Sequence, residues 1–294
     1  KLSGKAYSLS TNSDIYLYDT GSGSTTNLTE GMPGYDRYPR FSPDGRLLAW
    51  ESMARDGYEA DKIRLFMADL TTGEKRDYTA DFDNNAEQMA WSGDGKALYF
   101  VSSVQATDQL FILDPESGEI ACLTEGIHNY GHPLPAGDKV LVTKTSMSQP
   151  AELCLVDPVT GGETPVTAVN KGLLDQLTFG KVEMRMVPTS DGKEMLTWVI
   201  YPPGFDPAQK YPAILYCQGG PQSTVNQFWS YRWNFQMMAA GGYIVVAPNR
   251  RGVPGFGQEW NEQISGDYGG QNIRDLLAAI DDVAREPYVD KDRL

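Results

Sequence analysis

The sequence predicts two fold classes in tandem, about four blades of a partial β-propeller followed by an α/β domain, and three observations carry that expectation. A strand-turn-strand pattern recurs four times at spacings of 50, 45 and 43 residues. It stops near residue 172, where continuous apolar runs begin to alternate with helical periodicity. A glycine pair, Gly219 and Gly220, directly follows the first of those runs. The expected division is therefore 1–172 and 173–294.

Four segments of the repeat end in an aspartate, at Asp19, Asp69, Asp114 and Asp157, with apolar residues two and four positions earlier. That is the period of a strand with one buried face. A glycine stands four residues after each aspartate (Gly23, Gly73, Gly118, Gly161) and a threonine ten after (Thr29, Thr79, Thr124, Thr167). The aspartate can bond its own backbone in a turn, and the glycine supplies the positive φ that reverses the chain. The residues before the threonines, Leu28, Tyr78, Leu123 and Val166, are expected to face the core. A further strand follows "FSPDG" at 41–45 and "WSGDG" at 91–95, with a worn copy at 134–142. Repeats of this length fit propeller blades of four strands, and a β-solenoid is the structural alternative. One aspartate per repeat at one turn position reads as turn chemistry rather than as a metal set.

Beyond residue 172, two strands flank the turn at 189–192. Apolar runs at 213–217 and 243–247 enclose a segment, 228–240, that can be helical, which points to a parallel sheet covered on both faces. The clearest helix carries Ile273, Leu276, Leu277, Ile280, Val283 and Ala284 on one expected face and stops before Pro287.

Composition narrows the function classes. The 39 acidic and 25 basic residues leave a net charge of -14, which opposes phosphate backbones and anionic membranes. No apolar run approaches the ~18 to 20 residues of a membrane span. Nucleic acid and membrane are thus not expected as partners. The start lacks a signal peptide's apolar stretch, but a leader can be removed, so the compartment stays open, with a periplasmic or secreted location favoured. Cys122, Cys154 and Cys217 form no framework or zinc pattern and are expected as buried free thiols.

The chemistry concentrates in "CQGGPQ" at 217–222. It lacks the lysine of a P-loop and the spacing of a dinucleotide fingerprint, and Pro221 removes an amide donor. Two readings remain: a tight strand-to-helix turn, or a cradle for the oxyanion of acyl transfer, with Gln218 and Gly219 supplying donors.

The aspartate-ended repeats, the strand followed by "QGGPQ", "APNRRGVPGFG" at 247–257, "GDYGG" at 266–270, and Asp275, Asp281 and Asp282 together resemble the prolyl oligopeptidase family of serine peptidases, in its dipeptidyl-peptidase and acylaminoacyl-peptidase branch. The resemblance covers essentially the whole chain. It implies an α/β-hydrolase domain capped by a propeller, an active site between them, and a Ser-Asp-His triad cleaving short peptides near their N-termini, with no cofactor and no metal. The family places histidine or tyrosine where Gln218 stands. Asn249, Arg251 and Gly252 match its loop after the next strand, which shapes the active-site floor, and Arg251 is counted among the substrate-binding residues.

No Gly-x-Ser-x-Gly occurs in the 294 residues, and in this fold the acid and histidine follow the serine in chain order. His128 and His132, the only histidines, precede the expected serine and read as loop or interface residues. The triad is therefore expected outside the chain, and the 294 residues alone are expected to be inert. A dipeptide-releasing enzyme must hold a free ammonium, and the insert at 55–61 offers Glu59 and Asp61 for it. The leading expectation is a serine exopeptidase releasing dipeptides. An acylaminoacyl peptidase or esterase, and a non-catalytic propeller binding module, are the alternatives. Assembly as a homodimer stays open.

Overall fold

The computed structural model describes residues 4–294. A short helix α1 (Lys5–Leu9) precedes a two-stranded antiparallel hairpin, β1 (Tyr16–Tyr18) and β2 (Thr25–Asn27). Three antiparallel meanders of four strands follow. The first is β3 (Asp36–Phe41), β4 (Leu47–Ser52), β5 (Arg64–Asp69) and β6 (Lys75–Asp77). The second is β7 (Glu87–Trp91), β8 (Leu98–Val104), β9 (Thr107–Leu113) and β10 (Ile120–Cys122). The third is β11 (Asn129–Ala136), β12 (Lys139–Ser146), β13 (Gln149–Val156) and β14 (Glu163–Pro165).

The repeated aspartates act as the turn chemistry requires. Each accepts from two amides just ahead of it, as Asp69 Oδ1 does from Thr71 N at 2.8 Å and Thr72 N at 3.1 Å. Each glycine four residues on donates back to the aspartate carbonyl, at 2.7 to 2.9 Å, with φ between 69 and 82°. These amides hold the four carboxyls below the usual carboxylate range.

The threonines do something the spacing did not reveal. The Oγ1 of Thr29, Thr79, Thr124 and Thr167 accepts from the backbone N–H of Ile15, Leu65, Leu110 and Leu153, each 14 residues upstream, at 2.8 to 3.0 Å. A side chain thus takes over where the strand ladder ends. The first three threonines are buried, whereas the residues before them are only partly buried or, for Val166, half exposed. Leu28, Tyr78 and Leu123 nonetheless pack against the cores of their sheets, as expected, and only Val166 departs from that expectation.

Apolar faces stack the sheets in chain order. Leu47, Leu65 and Met67 of the first meander meet Met89, Trp91, Phe100 and Phe111 of the second. Tyr99 and Leu110 of the second meet Tyr130, Val142 and Val156 of the third. Trp50 buries its ring against Ile15 and satisfies its indole N–H on Asp36 Oδ1 at 3.0 Å. The first strand of each meander also carries a bulge at a non-glycine residue of positive φ: Tyr38, Gln88 and His132, at 53, 55 and 52°. Neighbouring sheets hold these bulges in series, since Gln88 N donates to Glu51 Oε1 at 3.0 Å and His132 N to Gln88 Oε1 at 2.7 Å.

After α2 (Lys171–Leu174) the chain builds a second sheet from β15 (Val182–Pro188), β16 (Glu194–Ile200), β17 (Ala213–Leu215) and β18 (Ile244–Pro248), in the order β15-β16-β18-β17. Only β17 and β18 are parallel, so the sheet is mixed rather than the parallel one expected. One face buries Trp198, Val245 and Phe235 and takes in Ala106 and Met147 from the antiparallel sheets. The other packs Val199, Ile244 and Val246 against Ala279, Ile280 and Val283.

Helix α3 (Phe235–Ala240) is shorter than the expected 228–240 and is capped by Asn234, whose side chain accepts from Met237 N at 3.1 Å. α4 (Gln258–Glu262) follows β18, and α5 (Gln271–Val283) is the long helix. Leu276, Ile280, Val283 and Ala284 are buried as expected, but Ile273 and Leu277 are 41% and 53% exposed and Asn272, Asp275 and Ala279 join the inward stripe, which rotates the face slightly. Asp275 sets this rotation, because it is fully buried and accepts from Arg251 N at 3.1 Å.

Removing one buried threonine hydroxyl leaves a buried strand amide without a partner, at a cost of about 1 to 3 kcal/mol. Thr79→Val is expected to lower the thermal midpoint clearly and Thr79→Ser to restore most of it, with a smaller loss for the half-buried Thr167→Val. Equal midpoints for Thr79→Val and the native chain in thermal unfolding would remove the hydroxyl from its role.

Candidate active site

The loop after β17 is built by being held from three sides. Gln218 Nε2 donates to Ser223 Oγ at 2.8 Å, closing the turn within the loop, and Gly220 adopts φ 116°. Asn249, at the end of β18 and fully buried, receives Val225 N on its Oδ1 at 2.8 Å and returns a bond from Nδ2 to Val225 O at 3.0 Å. Trp198 Nε1 donates to the same carbonyl at 2.8 Å. From behind, Arg250 Nη2 donates to Gln218 O at 3.0 Å. Gly219 is exposed, and its N–H has no hydrogen-bond partner among the described residues.

The second loop, 249–257, runs beneath the first and onto the antiparallel sheets. Thr224 Oγ1 donates to Pro254 O at 2.7 Å, and Gln105 N donates to Gly255 O at 2.9 Å. Gly255 has φ 91°, and a Cβ there would lie 2.9 Å from Ser103 Oγ, so the contact needs glycine. Further bonds cross the same seam, including Asn226 Nδ2 to Asp108 Oδ2 at 2.8 Å and Asn261 Nδ2 to Ala60 O at 2.9 Å.

A cavity of about 850 Å³ opens between the two units, lined by Gly220, Gln222 and Pro254 from one side and by Tyr35, Arg37, Glu59 and Glu87 from the other. Arg37 and Glu87 each stand immediately before a bulge residue, so the bulges turn these two side chains toward the cavity. Arg37 Nε bonds the buried Glu51 at 2.9 Å, and its Nη2 reaches Glu87 more loosely, at 3.5 Å. Burial, with the carboxylates of Glu51 and Asp108 nearby, pushes Glu87 up to about 7 despite Arg37.

Each expected site residue can now be located. Gln218 and Gly219 lie together at the cavity's edge loop, but the Gln218 amide is spent on Ser223, which leaves backbone N–H groups of the loop, Gly219 among them, as the free donors. Glu59 is exposed and lines the cavity. Asp61 does not share that position: it is buried and accepts from Ala54 N at 3.0 Å, Arg55 N at 2.6 Å and Arg55 Nε at 2.7 Å. Its charge fastens the insert, whose Arg55 also pairs with Glu262 on α4.

Arg251 is likewise corrected. It is 3% exposed and holds Asp191 by two bonds, at 2.5 and 2.6 Å, with Asp275 at 3.5 Å and the Trp260 ring 4.8 Å away. A guanidinium so enclosed braces the loop after β18 and does not line the cavity. The Arg251 pair keeps Asp191 well below the usual carboxylate range. His128 bonds Tyr130 OH at 2.8 Å within the third meander, and His132 is the exposed bulge residue; neither lines the cavity. Of the cysteines only Cys154 is buried, while Cys122, on the edge strand β10, and Cys217, in the loop after β17, are exposed.

Sequence reasoning missed Arg37, Glu87 and Arg250. The first two had a usable signal: they are 50 residues apart, the same spacing as Asp19 and Asp69, and therefore occupy one register of the repeat. Arg250 had none, since two adjacent arginines do not announce which will meet carboxylates and which backbone carbonyls.

Comparison with known proteins agrees with this geometry. Residues 229–294 match the model of the prolyl oligopeptidase family. The chain is 54% identical, over all 294 residues, to dipeptidyl-peptidase 5 of Porphyromonas gingivalis, and 53% identical over 291 residues to that of Porphyromonas endodontalis. It spans 43% and 42% of those proteins, less than half of their length. Among solved structures, the acylaminoacyl peptidase of Pyrococcus horikoshii superposes with a TM-score of 0.80 at 24% identity, over 95% of this chain and 42% of that one, which establishes a shared fold. From the match over residues 229–294 and the whole-length identity together, the chain belongs to the prolyl oligopeptidase family.

Proposed function

We propose that the chain forms the substrate cavity and one half of the oxyanion hole of a serine exopeptidase that releases N-terminal dipeptides. Its antiparallel sheets are read as four consecutive propeller blades at 1–172, and 173–294 as the first part of the α/β-hydrolase domain. The observation that carries the proposal is the unpaired Gly219 N–H in a loop whose next residues, Gly220 and Gln222, line the same cavity as Glu59 and Glu87. An amide with no internal partner, fixed before the reaction, is the donor a tetrahedral oxyanion needs.

In this reading a serine, an aspartate and a histidine from a longer polypeptide complete the site. The serine attacks the scissile carbonyl, the oxyanion accepts from Gly219 N–H, and the ammonium of a short peptide rests against the carboxylates of the opposite wall. Relatives named dipeptidyl-peptidase 5 support the choice of dipeptide release.

Three outcomes test it. The 294-residue chain alone is expected to leave a chromogenic dipeptide substrate intact, while a longer polypeptide containing it turns the substrate over; hydrolysis by the short chain would end the division of labour. In the longer polypeptide, Glu59→Ala is expected to raise KM roughly tenfold for free N-termini, about 1.4 kcal/mol, and to leave acetylated substrates unaffected. Asp61→Asn should instead lower the thermal midpoint. Faster cleavage of acetylated than of free substrates would move the assignment to an acylaminoacyl peptidase.

The pH dependence has a definite sign. Below about 7 Glu87 is protonated and attracts an ammonium weakly, and above it the carboxylate is charged. A peptide's α-amino group loses its own proton near ~7.7 to 8. The KM for free dipeptide substrates should therefore fall as pH rises through 7 and rise again above 8. Glu87→Gln should abolish the acid limb, and an unchanged limb would remove Glu87 from the ammonium site.

A further inference from the structure

Arg250 is a buried cation without a counter-ion. The residue is 4% exposed, and among the described residues no carboxylate oxygen lies within 4.0 Å of its guanidinium, in contrast to Arg251 next to it. Its bonds go to two backbone carbonyls, Arg251 O from Nη1 at 2.7 Å and Gln218 O from Nη2 at 3.0 Å. Its own carbonyl accepts from Trp260 Nε1 at 3.1 Å. Gly252 packs so closely that a Cβ there would come within 2.9 Å of Arg250 Nη1 and 2.6 Å of Ile264 Cγ2. Leaving a guanidinium uncompensated in such a place is costly unless its charge is used.

The geometry of one peptide unit shows the use. The unit joining Gln218 and Gly219 is planar and trans, so its C=O and N–H point in opposite directions. Arg250 grips the oxygen from the protein interior, which turns the Gly219 N–H away from the interior. That amide has no partner, and a Cβ on Gly219 would find no atom within 4 Å. A cation at the carbonyl end withdraws electron density from the whole unit and makes its N–H a stronger donor, in a place where water competes least for the charge.

We propose that Arg250 is a positioning residue for the oxyanion hole, orienting and polarising the Gln218–Gly219 peptide so that Gly219 N–H meets the developing negative charge. The inference rests on reading the 217–222 loop as half of that hole. It assigns to a buried arginine a role that Gln218, with its side chain bonded to Ser223, does not fill.

The test uses the longer polypeptide and the variants Arg250→Met and Arg250→Lys, each first shown to be folded by circular dichroism and thermal unfolding. For a dipeptide p-nitroanilide, Arg250→Met is expected to lower kcat roughly 10- to 100-fold with KM within about threefold, somewhat less than the loss of a direct oxyanion donor, and Arg250→Lys to recover part of it. A peptide boronate, which mimics the tetrahedral adduct, should lose affinity by the same factor as kcat. Unchanged kcat in Arg250→Met, or equal losses for boronate and for a non-reacting substrate analogue, would overturn the proposal.

A second readout does not depend on activity. Base-catalysed amide exchange passes through an anion that a nearby cation stabilises, so millisecond hydrogen exchange of the segment 217–222 should slow several-fold in Arg250→Met and only slightly in Arg250→Lys. Exchange that is unchanged or faster would overturn the proposal even if no substrate were found. A native polypeptide that hydrolyses nothing, with exchange slowed as expected, would count against the peptidase reading while leaving the polarised peptide in place.

Discussion

The pair of hydrogen bonds between the Asn249 side chain and the backbone of Val225 holds the rest of the site in place. An amide side chain is suited to this, since it donates and accepts in one plane and so matches both polar groups of a single residue. Asn249 is fully buried, where an unpaired amide would be costly, so the loop that passes it has one low-energy course. With Val225 fixed, Thr224 reaches Pro254 and Asn226 reaches Asp108, and the loop is tied to both units at once. The glycine pair then projects from a rigid base, and its freedom is confined to the direction of two peptide planes.

The seam between the units is polar where it controls geometry and apolar where it adds area. Ala106 and Met147 enter the core of the mixed sheet, while the bonds that set register run through backbone carbonyls at Gly255 and Ala60. Buried polar contacts cost more to break than apolar ones to shift, and they tolerate fewer arrangements. The insert at 55–61 fits that logic, because Asp61 gathers four donors from Ala54 and Arg55 and so presents Arg55 to Glu262 across the seam. The two neighbouring acids, Glu59 and Asp61, end in opposite situations, one facing the cavity and the other buried in the loop's own network.

Charge in the two floor arginines divides in the same way. Arg251 is neutralised by Asp191 and Asp275 and stiffens the joint between the β15–β16 turn, β18 and α5. Arg250 keeps its charge for backbone oxygens. One position along the chain decides which guanidinium meets carboxylates and which meets peptide dipoles.

The sequence by itself determined the repeat, its turns and the place of the glycine-pair loop. The Asp-to-glycine spacing is local, and the turn hydrogen bonds between residues 2 to 4 apart follow from it; a glycine pair after an apolar run likewise needs no distant partner to be recognised. Tertiary structure alone decided which side chains face the cavity. Arg37 and Glu87 are aimed by bulges at the start of their sheets, α5 turns on the burial of Asp275, and Arg250 is left to backbone carbonyls because Asp191 lies on the side that claims Arg251. These outcomes rest on contacts between residues 24 to 60 positions apart or on separate sheets. Periodicity reports which face of an element is apolar, and it carries no information about which distant charge that element will meet.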